Sequence, residues 1–201
     1  MIQLYGGPQN RAFRTYWMLE ELGLEYEGIP KDTQGGETRT PEFLAINPNG
    51  HVPTLVDGDL VVWESMAINL YLAERYGGPL APSSIAQKAA ALQWSFWVMT
   101  EVEGELLTYG MNTSLLPEGE RDSAAAAEAK EKLGAALGVL DGQLASQPFL
   151  AGSSFGVTDL NVASVLSWTR LVGFDIAAHQ HVAPWLEGCL SRPAAKKFLG
   201  G

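Results

Sequence analysis

The sequence predicts a small mixed α/β domain followed by a purely helical one. Three observations carry this reading. Residues 1–76 alternate strand-like and helix-like runs. Gly77-Gly78-Pro79-Leu80-Ala81-Pro82 then has the composition of a linker, and beyond it strand signals almost vanish. Such a shift across a Gly/Pro stretch marks a domain boundary near 77–84 and gives two domains, 1–78 and 85–201.

Ile2 to Tyr5 is a short apolar-rich run ending in Gly6-Gly7-Pro8, a strand entering a turn. Residues 11–23 have helical spacing, with Thr15, Met18, Leu19 and Leu22 on one face and Gly23 as the stop. Leu24 to Ile29 can form a second strand, and Pro41-Glu42-Phe43-Leu44 a short helix. Val52 to Val56 and Leu60 to Trp63 flank Asp57-Gly58-Asp59, a hairpin signal. A helix over 65–75 carries Ile68, Tyr71 and Leu72 on one side. The first two strands, joined by a helix, should be parallel, and the last two antiparallel. Beyond the linker, helices are expected over 85–110, 121–146, 157–171 and 182–191. In the second, Leu133, Leu137, Leu140 and Leu144 repeat at four, three and four.

The net charge is −10, with no block of Lys or Arg, which argues against a nucleic-acid backbone or an anionic membrane as partner. The single cysteine, Cys189, excludes a disulfide framework and argues against a Cys-based metal site, so no metal is expected. The first residues lack the basic and apolar stretches of a signal peptide. No run approaches the roughly 18 apolar residues of a membrane span. A cytoplasmic protein is the expectation.

The chemistry-bearing segments are Asn47-Pro48-Asn49-Gly50-His51-Val52-Pro53-Thr54-Leu55 and Trp63-Glu64-Ser65-Met66. Pro53 stands before a strand, where proline is poorly placed unless it shapes the backbone. A cis Val52–Pro53 bond would let the Val52 N–H and C=O pair with an extended peptide; the alternative is an ordinary turn. Ser65 begins a helix, where free N–H groups attract a carboxylate, and Glu64 beside it could receive an ammonium group. Side by side they suit an amino-acid zwitterion, although Ser65 could equally cap its own helix.

Taken together, Asn-Pro-x-Gly-x-Val-Pro-x-Leu followed by Glu-Ser at a helix start resembles the glutathione site of the glutathione S-transferase family, in its bacterial, theta- or nu-like form. Leu4-Tyr5-Gly6-Gly7-Pro8, Leu19-Glu20-Glu21-Leu22-Gly23 and Phe155-Gly156-Val157-Thr158-Asp159-Leu160 extend the resemblance over the whole chain. It implies a thioredoxin-like N-terminal domain that holds glutathione as co-substrate and an all-α C-terminal domain that holds a small apolar electrophile, in a homodimer that serves detoxification. Val52 would hold the cysteinyl backbone, with Pro53 in cis, and Glu64 and Ser65 the γ-glutamyl end. His51 stands where the family often has Lys or Gln near the glycyl carboxylate, and a histidine, unlike a lysine, loses its charge near neutral pH.

The thiol-activating residue departs from the family's commoner Ser or Cys. Asn10 stands there, with two N–H donors and no proton to lose. Tyr5, which aligns with the tyrosine of other classes, is the second candidate. On the helical side the resemblance points to Trp97, Glu101, Tyr109 and Trp168 for the second ligand, with core packing as the competing role for each aromatic. Two rival functions stay open: a glutathione-dependent disulfide or peroxide reductase, and a non-catalytic binding protein.

Overall fold

A computed structural model describes residues 1–199. The last two positions of the second predicted domain, 200 and 201, lie outside the described residues. The chain divides into two compact units, Met1–Ala81 joined by the segment from Arg192 onward, and Pro82–Ser191.

Unit 1 is built on a four-stranded sheet of order β2-β1-β3-β4, formed by β1 (Ile2–Tyr5), β2 (Tyr26–Ile29), β3 (Thr54–Asp57) and β4 (Leu60–Trp63). β1 runs parallel to β2 and antiparallel to β3, and β3–β4 is a hairpin in which Asp57 faces Leu60. Gly58 closes the hairpin at φ 61°, as a two-residue turn of this kind requires. The helices are α1 (Phe13–Leu22), α2 (Pro41–Ile46) and α3 (Ser65–Tyr76). Leu4 and Leu55 on the sheet, Trp17, Met18 and Leu19 on α1, and Ile68 and Leu72 on α3 are fully buried and form the core. At the far end of the sheet, Tyr71 and Tyr76 hydroxyls donate to Asp57 at 2.8 and 2.5 Å. The Tyr76 bond, chiefly, holds that carboxyl below the usual range.

One glycine decides how closely these pieces approach. β1 ends at Tyr5, and the chain turns at Gly6 with φ +119°, a conformation L side chains rarely adopt. A Cβ there would stand 2.9 Å from Ala12 Cβ and 3.0 Å from Val52 Cβ. The Gly6 N–H donates to Ile29 O at 2.9 Å, and its carbonyl accepts from the Tyr16 hydroxyl at 3.0 Å. Burial raises the Tyr16 phenol above its ordinary pKa, so it stays a donor.

Unit 1 contains a helix that was not expected of it. α10 (Pro193–Leu199) packs on α1 instead of closing the helical domain, which corrects the 85–201 division. Arg192 holds Glu21 through two bonds of 2.6 and 2.7 Å, Lys197 pairs with Glu20, and Phe198 packs on Tyr16 with ring centroids 5.5 Å apart.

Unit 2 comprises α4 (Ile85–Trp97), α5 (Gly104–Gly110), α6 (Ser123–Ser146), α7 (Val157–Leu166), α8 (Trp168–Val172) and α9 (Val182–Leu190). The stretch expected as one helix over 85–110 is helical but widens to π-type turns at Val98–Glu103 and again at Met111–Leu115. Side chains explain this. The Thr100 hydroxyl bonds back to the Phe96 carbonyl at 3.2 Å, and Asn112, Thr113 and Ser114 bond to Thr108, Tyr109 and Gly110 carbonyls four residues earlier. Such back-bonding loosens the regular ladder. The expected 157–171 helix is likewise divided at Ser167, whose hydroxyl bonds to Ser164 O at 2.7 Å. Leu133, Leu137, Leu140 and Leu144 are buried on one face of α6. α7 is buried on every side, as a central helix must be.

Asp159 organises the start of α7 from a fully buried position. It accepts from Leu150 N at 2.9 Å, Trp185 Nε1 at 3.0 Å and Gly156 N at 3.1 Å. Gly156 at the N-cap has no side chain to contribute, so Asp159 supplies the half of a capping box that survives. Burial pushes its pKa up to about 6, against the opposing pull of these N–H donors.

Two outcomes follow. Gly6→Ala should destabilise the protein by more than about 2 kcal/mol in denaturant unfolding, since the added methyl meets both a left-handed backbone and two side chains. For Asp159 the folded pKa lies above the unfolded one, so the folded state binds the proton more tightly. Its contribution to stability therefore falls as pH rises from about 4 to about 6, by about 3 kcal/mol. Urea unfolding from pH 4 to 7 should show wild type losing that much relative to Asp159→Asn; a constant difference would contradict it.

Candidate active site

β1 and β2 are parallel, and their carboxyl ends release two loops side by side, 6–12 and 30–36. Ligands in open α/β sheets bind at that edge. The two loops wall a cleft of about 700 Å³ lined by Gln9, Asn10, Pro30, Lys31, Asp32, Thr33, Gln34 and Glu37.

Asn10 is locked in the first loop. Its Oδ1 accepts from Ala12 N at 2.9 Å, and its carbonyl accepts from Phe13 N at 3.0 Å. With the oxygen committed to the backbone, the side chain's donor end is the Nδ2 amide. Tyr5 lies elsewhere. It is half-buried at the end of β1, its ring edge-on to Phe43 of α2 at 5.8 Å, and it is not among the residues lining the cleft.

The segment before β3 is held from inside by Asn47, which is almost fully buried. Its Nδ2 donates to His51 O and to Thr54 Oγ1, both at 2.9 Å, and its Oδ1 accepts from Asn49 N at 3.0 Å. Thr54 Oγ1 adds a bond to His51 O at 3.0 Å. The Val52–Pro53 bond is cis, with Val52 half-buried and Pro53 buried. The His51 side chain is exposed.

At the start of α3, Glu64 is exposed and has φ 72° and ψ 117°, the one non-glycine residue with positive φ among the described residues. Its side chain makes no cap bond to the helix. Ser65 is the first helical residue rather than the cap, and it is buried. The α3 N-terminus thus keeps its N–H groups without a side-chain acceptor from the cap position, and positive dipole collects there.

Arg14 went unnoticed in the sequence. It is fully buried in α1, and its Nη1 donates to Ser65 Oγ at 3.3 Å, while Asn69 Nδ2 donates to Arg14 O at 3.2 Å. Ser65 and Asn69 are four apart on α3, so one face of that helix grips one residue of α1. The signal was present. Arg14 lies three residues before Trp17 and four before Met18, on the apolar face of its helix. Asn47 was visible only as part of a motif, not as the residue that pins it.

The four residues expected for the second ligand belong to unit 2 and do not form one cluster. Trp97 ends α4, half-buried, edge-on to Trp94 at 4.9 Å. Glu101 is exposed in the first π-type turn and accepts from the Thr100 hydroxyl at 3.3 Å. Tyr109 is on α5 against Phe174 at 5.0 Å, and Trp168 is half-buried at the start of α8. Twelve residues of helix separate Trp97 from Tyr109, on the order of 18 Å of axis, so they mark two ends of one stretch. Among the described residues, no group of His, Cys, Asp and Glu could hold a metal ion, and no helix is long and apolar enough to cross a membrane.

In chemical terms unit 1 offers an amide donor in a cleft, an extended segment with its turn fixed, and a helix N-terminus beside a carboxylate. Comparison with known proteins gives the family. Residues 1–74 match the glutathione S-transferase N-terminal domain and residues 88–193 the C-terminal domain. The chain is 34% identical to glutathione S-transferase GstB of Escherichia coli K12, over 99% of this chain and 98% of that protein. It is also 34% identical to glutathione S-transferase 3 of Zea mays, over 98% and 93%. A theta class glutathione S-transferase from Xanthomonas axonopodis pv. citri, solved with glutathione bound, superposes with a TM-score of 0.90 at 33% identity, covering 100% of this chain and 97% of that one. Two matched domains and full-length relatives at this identity leave one conclusion: the chain belongs to the glutathione S-transferase family.

Proposed function

We propose that this transferase binds glutathione along the 47–65 edge of unit 1, activates it as a thiolate at Asn10, and directs that sulfur at an electrophilic carbon of a small molecule. The observation that carries the reading is Glu64. A non-glycine residue at φ 72° and ψ 117° costs about 1–3 kcal/mol, and such strain persists where a ligand uses it. Here it stands at a helix start with no side-chain cap, next to a buried Ser65 hydroxyl. A γ-glutamyl carboxylate on the α3 N-terminus and an ammonium group on Glu64 would use both features.

Val52 would pair with the cysteinyl backbone, and His51 would face the glycyl carboxylate. In that pose the sulfur would lie toward the β1–α1 loop, because Val52 stands next to Gly6. A thiol with an ordinary pKa near 8.5 is mostly protonated at neutral pH, and an N–H donor aimed at sulfur favours the charged form. Asn10 fits this role better than Tyr5, because its oxygen is anchored by Ala12 and its amide borders the cleft. The sulfur lone pair forms the new C–S bond, and the leaving group departs with the electrons of the bond it breaks. Trp97, Glu101, Tyr109 and Trp168 remain candidates for the second ligand. The homodimer, the cytoplasmic location and a role in detoxification belong to the same proposal.

Three measurements test it. Thermal unfolding with glutathione at about 100 times its Kd should gain about 2.7 kcal/mol in wild type and clearly less in Ser65→Ala; no shift in wild type would remove the site. Asn10→Ala should lower kcat at least tenfold with little change in glutathione Kd, whereas equal turnover would reassign activation to Tyr5 or to glutathione itself. Glu64→Gly should separate strain from function: the free protein gains up to about 1 kcal/mol, while glutathione binds more weakly.

A further inference from the structure

The cleft beside Asn10 does not suit an apolar partner. Of its eight lining residues only Pro30 lacks a polar side chain; Gln9, Asn10, Lys31, Asp32, Thr33, Gln34 and Glu37 supply amides, a hydroxyl and charges. Its place is set by the sheet. Tyr5 pairs with Ile29 in the parallel ladder, and Gly6 N donates to Ile29 O, so the loop that follows Ile29 must run beside the one that carries Asn10.

The charges in this wall are not equivalent. Asp32 is engaged within its own turn, its Oδ1 accepting from Gln34 N at 2.9 Å and Gly35 N at 2.8 Å. Glu37 Oε2 accepts from Asp32 N at 2.8 Å. Each carboxylate commits one oxygen to the loop's backbone and stiffens it. Lys31 is different. It is half-buried at the mouth of the same loop and makes no ion pair among the described residues. In a chain of net charge −10, this half-buried lysine has no carboxylate partner among the described residues and lines the same cleft as the residue assigned to the sulfur, so its charge is available to a ligand.

We propose that Lys31 is a specificity-determining residue and that the second substrate carries a carboxylate, which Lys31 pairs while Asn10 faces the reacting sulfur. The proposal rests on the glutathione reading above and narrows it, replacing a wholly apolar electrophile with an anionic one. Gln9, Thr33 and Gln34 provide the hydrogen-bonding rim that such a polar molecule needs on entering a cleft. The selectivity sits in the loop after β2, outside the aromatic residues of the helical unit.

Titration calorimetry with three ligands tests this: glutathione, S-benzylglutathione and S-(4-carboxybenzyl)glutathione. The last two differ by one carboxylate. Wild type should bind the carboxylated conjugate three- to tenfold more tightly than the plain one, the range expected for a charge-assisted contact at a partly exposed site. That preference should vanish in Lys31→Met and return in Lys31→Arg. Raising the salt concentration should shrink it. If glutathione binds but wild type and Lys31→Met discriminate equally between the conjugates, the proposal is overturned and the glutathione site stands. If none of the three ligands binds wild type, the glutathione reading fails and this proposal falls with it.

Discussion

Everything in unit 1 depends on how closely three backbones meet at Gly6. The end of β1, the entry to α1 and the turn before β3 approach until a single Cβ would collide with Ala12 and Val52. That contact sets the loop with Asn10 against the segment with Val52 and Pro53. The bonds from Gly6 to Ile29 and from Tyr16 to Gly6 fix the crossing from two sides. A catalytic arrangement tolerates little slack, and this junction leaves none.

The second load-carrying feature is the grip between α1 and α3. Arg14 donates to Ser65, and Asn69 donates back to Arg14 O. Burying a guanidinium costs several kcal/mol, so it has to be repaid by polar contacts placed around it. Here the contact lies at the helix start that the proposed glutathione carboxylate would use. A permanent positive charge under that helix end is repelled by the positive pole of the dipole, and the two together attract a carboxylate. Glu64, strained above, completes a site in which stability is given up locally and recovered in the apolar core of Leu4, Leu55, Ile68 and Leu72.

Much of this was legible in the sequence because it depends on local chemistry. The Asp57-Gly58 turn announced the β3–β4 hairpin, and the alternation of strand and helix gave the parallel β1–β2 pair. Glu64 and Ser65 were found because a helix start is written in a few neighbouring residues. Part of what escaped depends on partners distant along the chain. Arg14 went unnoticed because its partner Ser65 is 51 residues away. The widened turns at 98–103 and 111–115 arise from hydroxyls and an amide competing for carbonyls, which hydrophobic periodicity does not register. No helix was expected after residue 191, yet Pro193 opens α10 as the first residue of a helix, where proline is well tolerated. The wall around Lys31 is polar and aperiodic, so nothing in its composition distinguished it from an ordinary loop.

The return of α10 to α1 has a consequence for how the chain is made. A ribosome releases residues 1–81 long before residues 192–199, so the first unit must wait with one face uncovered while the entire helical unit is synthesised. During that interval Tyr16 lacks Phe198, and Glu20 and Glu21 lack Lys197 and Arg192. α10 therefore seals unit 1: a chain cut short before residue 192 yields a sheet that is assembled but left uncovered on one face, the kind of surface that chaperones and proteases recognise.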